Sequence, residues 1–581
     1  MENMINLTID GVQVSAPAGS TVLEAARLAN IHIPTLCYLK DVNKIGACRV
    51  CVVDVGARAL QAACVYPVSE GMVVKTNTPA VRSARKTVVE LLLSIHDRKC
   101  LSCVRNNNCE LQDLCRDLGI EDENRFAGSV NNYEVDVSPC IVRNNNKCVL
   151  CRRCVAACQK QNVGVIGTVK RGFASTIGSP WGVKLAQTGC VGCGQCIVAC
   201  PVGALKEKDS IEAVDKLLAA GKHVVIQPAP AVRAALGEEF GIPMGTSVTG
   251  KMVAAMRRLG FSKVFDVDFS ADLTILEEGT ELVQRLTNGG VLPMITSCSP
   301  GWIKYCETYN QDFIPNLSSC KSPHEMGGAI IKSYYAEKAG IDPRDIAVVS
   351  VMPCTAKKFE AGRDELSNDG MQNVDEVITT RELARMIRRA GIDFNSLPDE
   401  DFDSLLGEST GAGVIFGATG GVMEAALRFA YEAVTKKELK EVEFHAVRGL
   451  EGVKEAEVDL NGTKLHVAVA HGTGNAQKLL DSVRSGEKKY EFIEVMCCPG
   501  GCVTGGGQPI VKADVRAGVN VSALRAKALY DEDAGKPRRK SQDNEELKVL
   551  YSEFLGEPGS HKAHHLLHTT YRPRDKYEGI R

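Results

Sequence analysis

The sequence predicts a modular α+β and α/β chain, with small cysteine-bearing domains in its N-terminal third and a large α/β domain after them. Three observations predict it. The 581 residues exceed what one core holds and, at ~150 residues per domain, suggest roughly four domains. The 24 cysteines are unevenly placed: 17 precede residue 201, none lies between 201 and 297, and seven fall from 298 to 502. Beyond about residue 210, short apolar runs alternate with helical patterns, the mark of α/β layers on a mostly parallel sheet. Composition narrows the function. With 69 basic and 71 acidic side chains the formal charge is −2, so no basic excess is available to neutralise a nucleic acid, and aromatic residues at 5% offer no stacking surface. No uncharged apolar stretch of ~18 residues occurs, so no membrane insertion is expected. MENMINLTIDG lacks the basic patch and apolar run of a secretion signal, and a cytoplasmic, reducing setting is expected.

Residues 1–80 open with NLTIDGVQVSAPAGSTVLEAARLANI, two short strands joined by Asp-Gly and then a helix opened by Ser20 and Thr21. Cys37, Cys48, Cys51 and Cys64 follow. The two-residue gap between Cys48 and Cys51 lets one tight loop present two thiolates to one iron, while the other two approach from flanking segments. Hairpin, helix and cysteine loop look like a plant-type ferredoxin domain with one 2Fe–2S cluster, although the first gap is longer than usual. The plainer reading is a set of buried structural thiols.

Residues 81–125 hold HDRKCLSCVRNNNC, with His96, Cys100, Cys103 and Cys109. This set suits a 4Fe–4S cluster or a zinc ion, and spacing leaves both open. Cys115 has no place in the set. Residues 138–210 carry a duplicated C-x2-C-x2-C-x3-C run, Cys148, Cys151, Cys154, Cys158 and then Cys190, Cys193, Cys196, Cys200 followed by Pro201. In bacterial two-cluster ferredoxins the fourth cysteine crosses to the other cluster. Cys148, Cys151, Cys154 and Cys200 would then hold one 4Fe–4S centre, and Cys190, Cys193, Cys196 and Cys158 the other. Clusters in series form a wire, and its end must lie beyond residue 201.

Residues 211–522 are the expected large domain. DSIEAVDKLLAAG reads as a helix stopped by Gly221 and KHVVIQPAPAV as a strand entering a Pro-rich turn. KVFDVDF, GGVLPMITSC, DIAVVSVMPC, AGVIFGAT, LHVAVAHG and YEFIEVMCC read as further short strands, three of which run directly onto cysteine. Sites in such sheets lie beyond the carboxyl ends of the strands.

TSCSPGW (296–302), MPCTAKKFE (352–360) and EVMCCPGGCVTGGGQP (494–509) together resemble the three signature loops of the iron-only, or diiron, hydrogenases. The order of the N-terminal cysteine groups resembles the larger members of that family and the big cluster-carrying subunit of respiratory complex I. The resemblance implies a large iron hydrogenase catalytic domain and an H-cluster, a 4Fe–4S cubane joined through a cysteine sulfur to a two-iron unit bearing CO, cyanide and azadithiolate. It further implies that Cys354, Cys498 and Cys502 ligate the cubane, Cys502 bridging to the diiron unit. Lys357 would donate to a cyanide, and Met352, Met496 and Pro230 would pack around the unit, although methionines there also fill cores.

Two positions depart from the family pattern. Its first loop has consecutive cysteines, a proton relay and a cubane ligand; here Cys298 falls on the relay position and Ser299 on the ligand position. Cys497 stands where a small residue is usual. Ligation by Ser299, substitution by Cys298 or Cys497, and an open cubane corner are all compatible with the sequence. Glu278, Glu281 and Arg285 recur at helical spacing on one face. Their plain reading is a solvated face with ion pairs; the resemblance makes them, with Ser318 and Cys298, a proton path. The tail, 523–581, reads as two amphipathic helices and an extended end and looks like the separate small subunit of some relatives. His561, His564, His565 and His568 in it suggest metal only weakly.

The implied reaction is reversible hydrogen oxidation and proton reduction. Implied cofactors are one 2Fe–2S cluster, three accessory 4Fe–4S clusters and the H-cluster. No G-x-G-x-x-G following a strand occurs, so NAD(P) and flavin would sit on partner subunits resembling complex I modules, as in the catalytic subunit of multimeric, electron-bifurcating hydrogenases of anaerobes; ferredoxin is the other acceptor class. The alternatives are a hydrogen-sensing or electron-transfer iron–sulfur protein with little turnover, and a complex I-like conduit without a diiron unit.

Overall fold

The chain, seen as a computed structural model, is described for residues 3–122, 124–126, 132–460 and 463–579. Strands Met4–Ile9 and Val12–Pro17 pair antiparallel, Ile9 opposite Val12, across a two-residue turn. Asp10 and Gly11 both take positive φ there, the backbone such a turn needs to match strand twist. Thr21 caps helix Val22–Leu28 and exchanges hydrogen bonds with Glu24, a capping box. Leu7, Ile9, Val14, Leu23 and Ala26 form the core that anchors the first cysteine loop. Helix Pro79–Leu93, capped by Thr78 with proline in its first turn, leads into the His96 loop. Helices Arg153–Lys160 and Gln195–Ala199 each follow a C-x2-C loop and each is entered through a left-handed residue, Arg152 and Gly194.

After residue 210 two four-stranded sheets carry the chain. In the first, strands run in the order Lys263–Val264, His223–Pro228, Ile346–Met352, Glu376–Thr379, all parallel. In the second the order is Met294–Ile295, Phe492–Met496, Thr463–His471, Val453–Leu460, parallel except for the final antiparallel hairpin. Strand Ile346–Met352 is buried along its whole length, as expected of a parallel strand covered on both faces. Helix Val267–Asn288 is also mostly buried. The loops leaving Pro228, Ile295, Met352 and Met496 converge beyond the carboxyl ends of the strands.

One expected strand is partly helical and another wholly so. KVFDVDF gives only the two-residue strand Lys263–Val264; Asp266 accepts from the Asp268 amide and caps the long helix, so VDF is its first turn. AGVIFGAT forms helix Gly411–Val414 and a further turn, Ile415–Gly417, with Gly413 so close to the Asp268 backbone that a Cβ would collide with its carbonyl oxygen. A short buried apolar run carries no periodicity that separates the two. The tail holds more than two helices: Val521–Gly535, Glu545–Leu550 continuing through Tyr551–Leu555, and His561–Leu567. Its buried charges face the catalytic domain. Asp533 pairs with Arg428 at 2.9 Å and Glu532 with Arg233 at 3.1 Å, both arginines fully buried.

Candidate active site

The converging loops enclose a largely apolar cavity. Cys354, Cys498 and Cys502 face it, together with Cys298, Ser299, Met352, Met496, Cys497, Pro230 and Lys357. Each position follows from a strand end: Met352 and Met496 are the last residues of their strands, and Ser299 precedes helix Pro300–Tyr309. The PGG turn and the GGG run are glycine for steric reasons. Gly501 sits at φ +99°, and a Cβ on Gly505 or Gly506 would collide with the carbonyl oxygen of Pro353 or of Cys193. Soft thiols on closely packed backbone, apolar walls and one buried ammonium fit an anionic iron–sulfur group.

That ammonium is fixed by its neighbours. Lys357 Nζ donates to the Cys298 carbonyl at 3.2 Å and pairs with Glu360 at 2.7 Å. Burial alone would raise the Glu360 pKa, but Lys357 and His324 hold it at about 2. His324 Nε2 lies 2.7 Å from Glu360, and burial with the Lys357 charge lowers the imidazole to about 4, hence neutral. Burial then lifts neighbouring Glu325 to about 8.

Arg285, Glu281 and Ser318 are brought together. Arg285 pairs with Glu281 at 2.6 Å, and the opposite carboxylate oxygen accepts from Ser318 Oγ at 3.0 Å. Glu278 is 1% exposed, yet among the described residues neither of its oxygens has a partner at hydrogen-bond distance, neither Ser318 nor Cys298. Burial raises it to about 7, although Ser318 is near enough to favour its charged form. Burial also pushes the Cys298 thiol well above its ordinary range, and the Glu278 charge adds to this. His568 closes the far side, between Ser319 and Glu277.

The N-terminal cysteines group in space. Cys37, Cys48, Cys51 and Cys64 are grouped, Cys37 close enough to influence Cys48 and Cys64, and Cys64 close enough to influence Cys51. His96, Cys100, Cys103 and Cys109 surround a second cavity, which Cys115 also lines. The His96 Nδ1 is buried with no hydrogen-bond partner among the described residues, as a metal-binding nitrogen would be, and burial lowers its pKa to about 4. Cys148, Cys151, Cys154 and Cys200 line a third cavity, and Cys158, Cys190, Cys193 and Cys196 a fourth. Specific contacts join these groups. Asn43 Nδ2 donates to the carbonyls of Cys37, at 2.7 Å, and Cys151, at 3.0 Å. Arg105 donates to the Cys200 carbonyl at 2.9 Å. Cys193 lines both the fourth cavity and the catalytic one.

Sequence reasoning missed Glu360, His324, Glu277 and Asn43, and singled out His568 only as a weak metal candidate. Glu360 lies inside the quoted second loop, three residues from Lys357, so an i,i+3 ion pair was discoverable there. The others act across separations of tens to hundreds of residues that no local pattern reports.

Comparisons with known proteins agree with this geometry. Residues 222–506 match the C-terminal domain of the iron only hydrogenase large subunit, and 519–574 the iron hydrogenase small subunit. Residues 2–79 match a 2Fe–2S cluster-binding domain, 85–124 the iron–sulfur binding region of NADH-ubiquinone oxidoreductase-G, and 147–204 a 4Fe–4S dicluster domain. The His96 region is thereby an iron–sulfur rather than a zinc module. The chain is 50% identical to the NADP-reducing hydrogenase subunit HndD of Solidesulfovibrio fructosivorans, over 99% of this chain and 100% of that one. It is 44% identical to iron hydrogenase 1 of Clostridium pasteurianum, over 98% and 100%. A solved FeFe-hydrogenase HydA1 variant from Chlamydomonas reinhardtii superposes with a TM-score of 0.56 at 42% identity, covering 62% of this chain and 99% of that one. Among the described residues no helix is long and apolar enough to cross a membrane. Matched over nearly its whole length by two hydrogenases at 50% and 44% identity, the chain belongs to the iron-only hydrogenase family.

Proposed function

We propose that the chain catalyses H2 ⇌ 2H⁺ + 2e⁻ at an H-cluster held by Cys354, Cys498 and Cys502, fed by one 2Fe–2S and three 4Fe–4S accessory clusters. The observation that carries this reading is the meeting of three thiols from two loops with the Lys357 ammonium in one apolar cavity. When bound, the H-cluster supplies the iron site where H2 is split or formed and a basic amine beside it.

The chain's own residues do the rest. Lys357, oriented by Glu360, offers a charge-assisted donor to an anionic ligand. Met352, Met496 and Pro230 keep water away. Cys298 passes a proton between the cavity and Glu278, whose raised pKa suits it to give and take protons near neutrality. Ser318 and Glu281 carry it onward to Arg285 at the domain surface.

Electrons take a branched route. The contacts of Asn43 and Arg105 support delivery from both the Cys37 set and the His96 set to the Cys148 centre. From there they reach the Cys190 centre, whose Cys193 adjoins the catalytic cavity. The likeness to an NADP-reducing hydrogenase subunit, and the region shared with NADH-ubiquinone oxidoreductase-G, support NAD(P)-binding partner subunits of complex I type.

The test is an infrared spectrum of anaerobically purified, matured protein together with dye-linked H2 oxidation. CO and cyanide bands with turnover are expected. Cys298→Ala should keep the bands and lose most turnover; full activity in that variant refutes the relay. Ser299 favours the second reading, a sensing or electron-transfer protein, which predicts a rate no higher than cluster-only background.

A further inference from the structure

The catalytic cavity holds one thiol more than three cubane ligands, a proton relay and Cys193 of the neighbouring centre account for. Cys497 and Cys498 are adjacent, and along a strand neighbouring side chains point to opposite faces. The strand ends at Met496, however, and the chain bends at both cysteines. The two side chains therefore both line the same cavity. Cys497 is 4% exposed and faces the same cavity as Cys354, Cys498 and Cys502. Gly301, in the first turn of helix Pro300–Tyr309, makes room for its sulfur, since a Cβ there would lie 2.7 Å from it.

Ser299 stands beside it with its oxygen already engaged, accepting from the Cys497 backbone amide at 3.2 Å. Iron in a sulfide cluster takes soft thiolate far more readily than a hard alkoxide, and a thiol gives up its proton to a metal much more easily than a serine hydroxyl does. We propose that Cys497, not Ser299, is the fourth ligand of the cubane, and that Ser299 is a positioning residue holding the Cys497 backbone. Ligation replaces S–H with S–Fe, releases one proton to solvent and needs no oxidant. Gln161 Nε2 fixes the next peptide group, on the other side of the Cys497 Cα, by donating to the Cys497 carbonyl at 2.8 Å. Cys193 lines the same cavity, so the proposal places ligands of neighbouring clusters on one cavity wall.

This inference rests on the H-cluster reading, and one experiment separates the two. The full chain is reconstituted with iron and sulfide alone, as the wild type, Cys497→Ala, Ser299→Ala and the double variant Ser299→Cys/Cys497→Ala. Iron and sulfide are counted, and EPR is recorded oxidised and reduced; persisting accessory-cluster signals report folding. Cys497→Ala should lose about one to four iron atoms per chain, either shedding the cubane or leaving a three-iron cluster visible when oxidised. Ser299→Ala should keep the wild-type count, and the double variant should regain it. Full iron in Cys497→Ala, loss confined to Ser299→Ala, or loss in both without regain in the double variant overturns the assignment. A wild type that forms no cubane overturns the H-cluster reading along with it.

Discussion

His568 spans two oxygens of the catalytic domain, one ring nitrogen 2.8 Å from Ser319 Oγ and the other 3.1 Å from Glu277 Oε2. The imidazole comes from the last helix of the tail, and Glu277 also accepts from Tyr551 at 2.5 Å and from the Gly559 amide at 2.9 Å. His568→Phe leaves a buried carboxylate one donor short. It should cost about 1–3 kcal/mol of stability, seen as a lower Tm, with the infrared bands unchanged.

Glu278→Gln tests the proton path. It should cut turnover by about 10²–10⁴-fold while the cofactor stays bound. The folded pKa of about 7 lies above the ordinary 4.5, because burial disfavours the charged form. The protonated carboxyl is therefore the one the native state favours; its contribution is full below about pH 4.5 and is lost as pH rises through 7. The glutamine variant should match the wild type in stability at the acid end and exceed it by roughly 2–3 kcal/mol above pH 8. Denaturant titrations at the two pH values check the sign.

Lys357→Met removes the cation from a buried pair and leaves Glu360 with His324 alone. Breaking such a pair costs up to about 3–5 kcal/mol. The His324 pKa should rise from about 4, since the Lys357 charge helps to hold it down. Histidine-resolved NMR titration of the apoprotein measures that rise; an unmoved pKa contradicts the coupling.

Asn43→Ala removes both amide bonds that tie the first cysteine loop to the Cys151 loop. Stability should fall by about 1–3 kcal/mol. Reduction of the inner clusters by electrons entering at the 2Fe–2S site should slow in stopped-flow traces. Oxidation of H2 by a dye that draws on the inner clusters should keep its rate.

Much of the site was legible because iron–sulfur ligation concentrates its residues at fixed short spacings. Cys148 to Cys158 and Cys190 to Cys200 read directly from the chain, as did the hairpin at Asp10-Gly11 and the helix cap at Thr21. Strand identity was less legible where the signal was a short apolar run. Residues 411–417 are helical because Gly413 must approach the long helix closely, a tertiary demand absent from local composition. Least legible were the groups that orient others. His324 and Glu360 are 36 residues apart, and His568 meets Glu277 across 291. Such partners carry no spacing rule, and a histidine in HKAHHLLH reads as tail decoration until the fold brings it to a carboxylate.

Arg233 and Arg428 are fully buried cations, and part of their balancing charge, Glu532 and Asp533, arrives on the C-terminal segment. That segment is continuous with the chain here, although it matches a family named as a small subunit. A tethered segment that lets go returns by a first-order step, at an effective concentration in the mM range for a short flexible linker. Its residence on the domain should not depend on dilution, and neutrality of the interior is set once, by synthesis of a single polypeptide, rather than by matched supply of two.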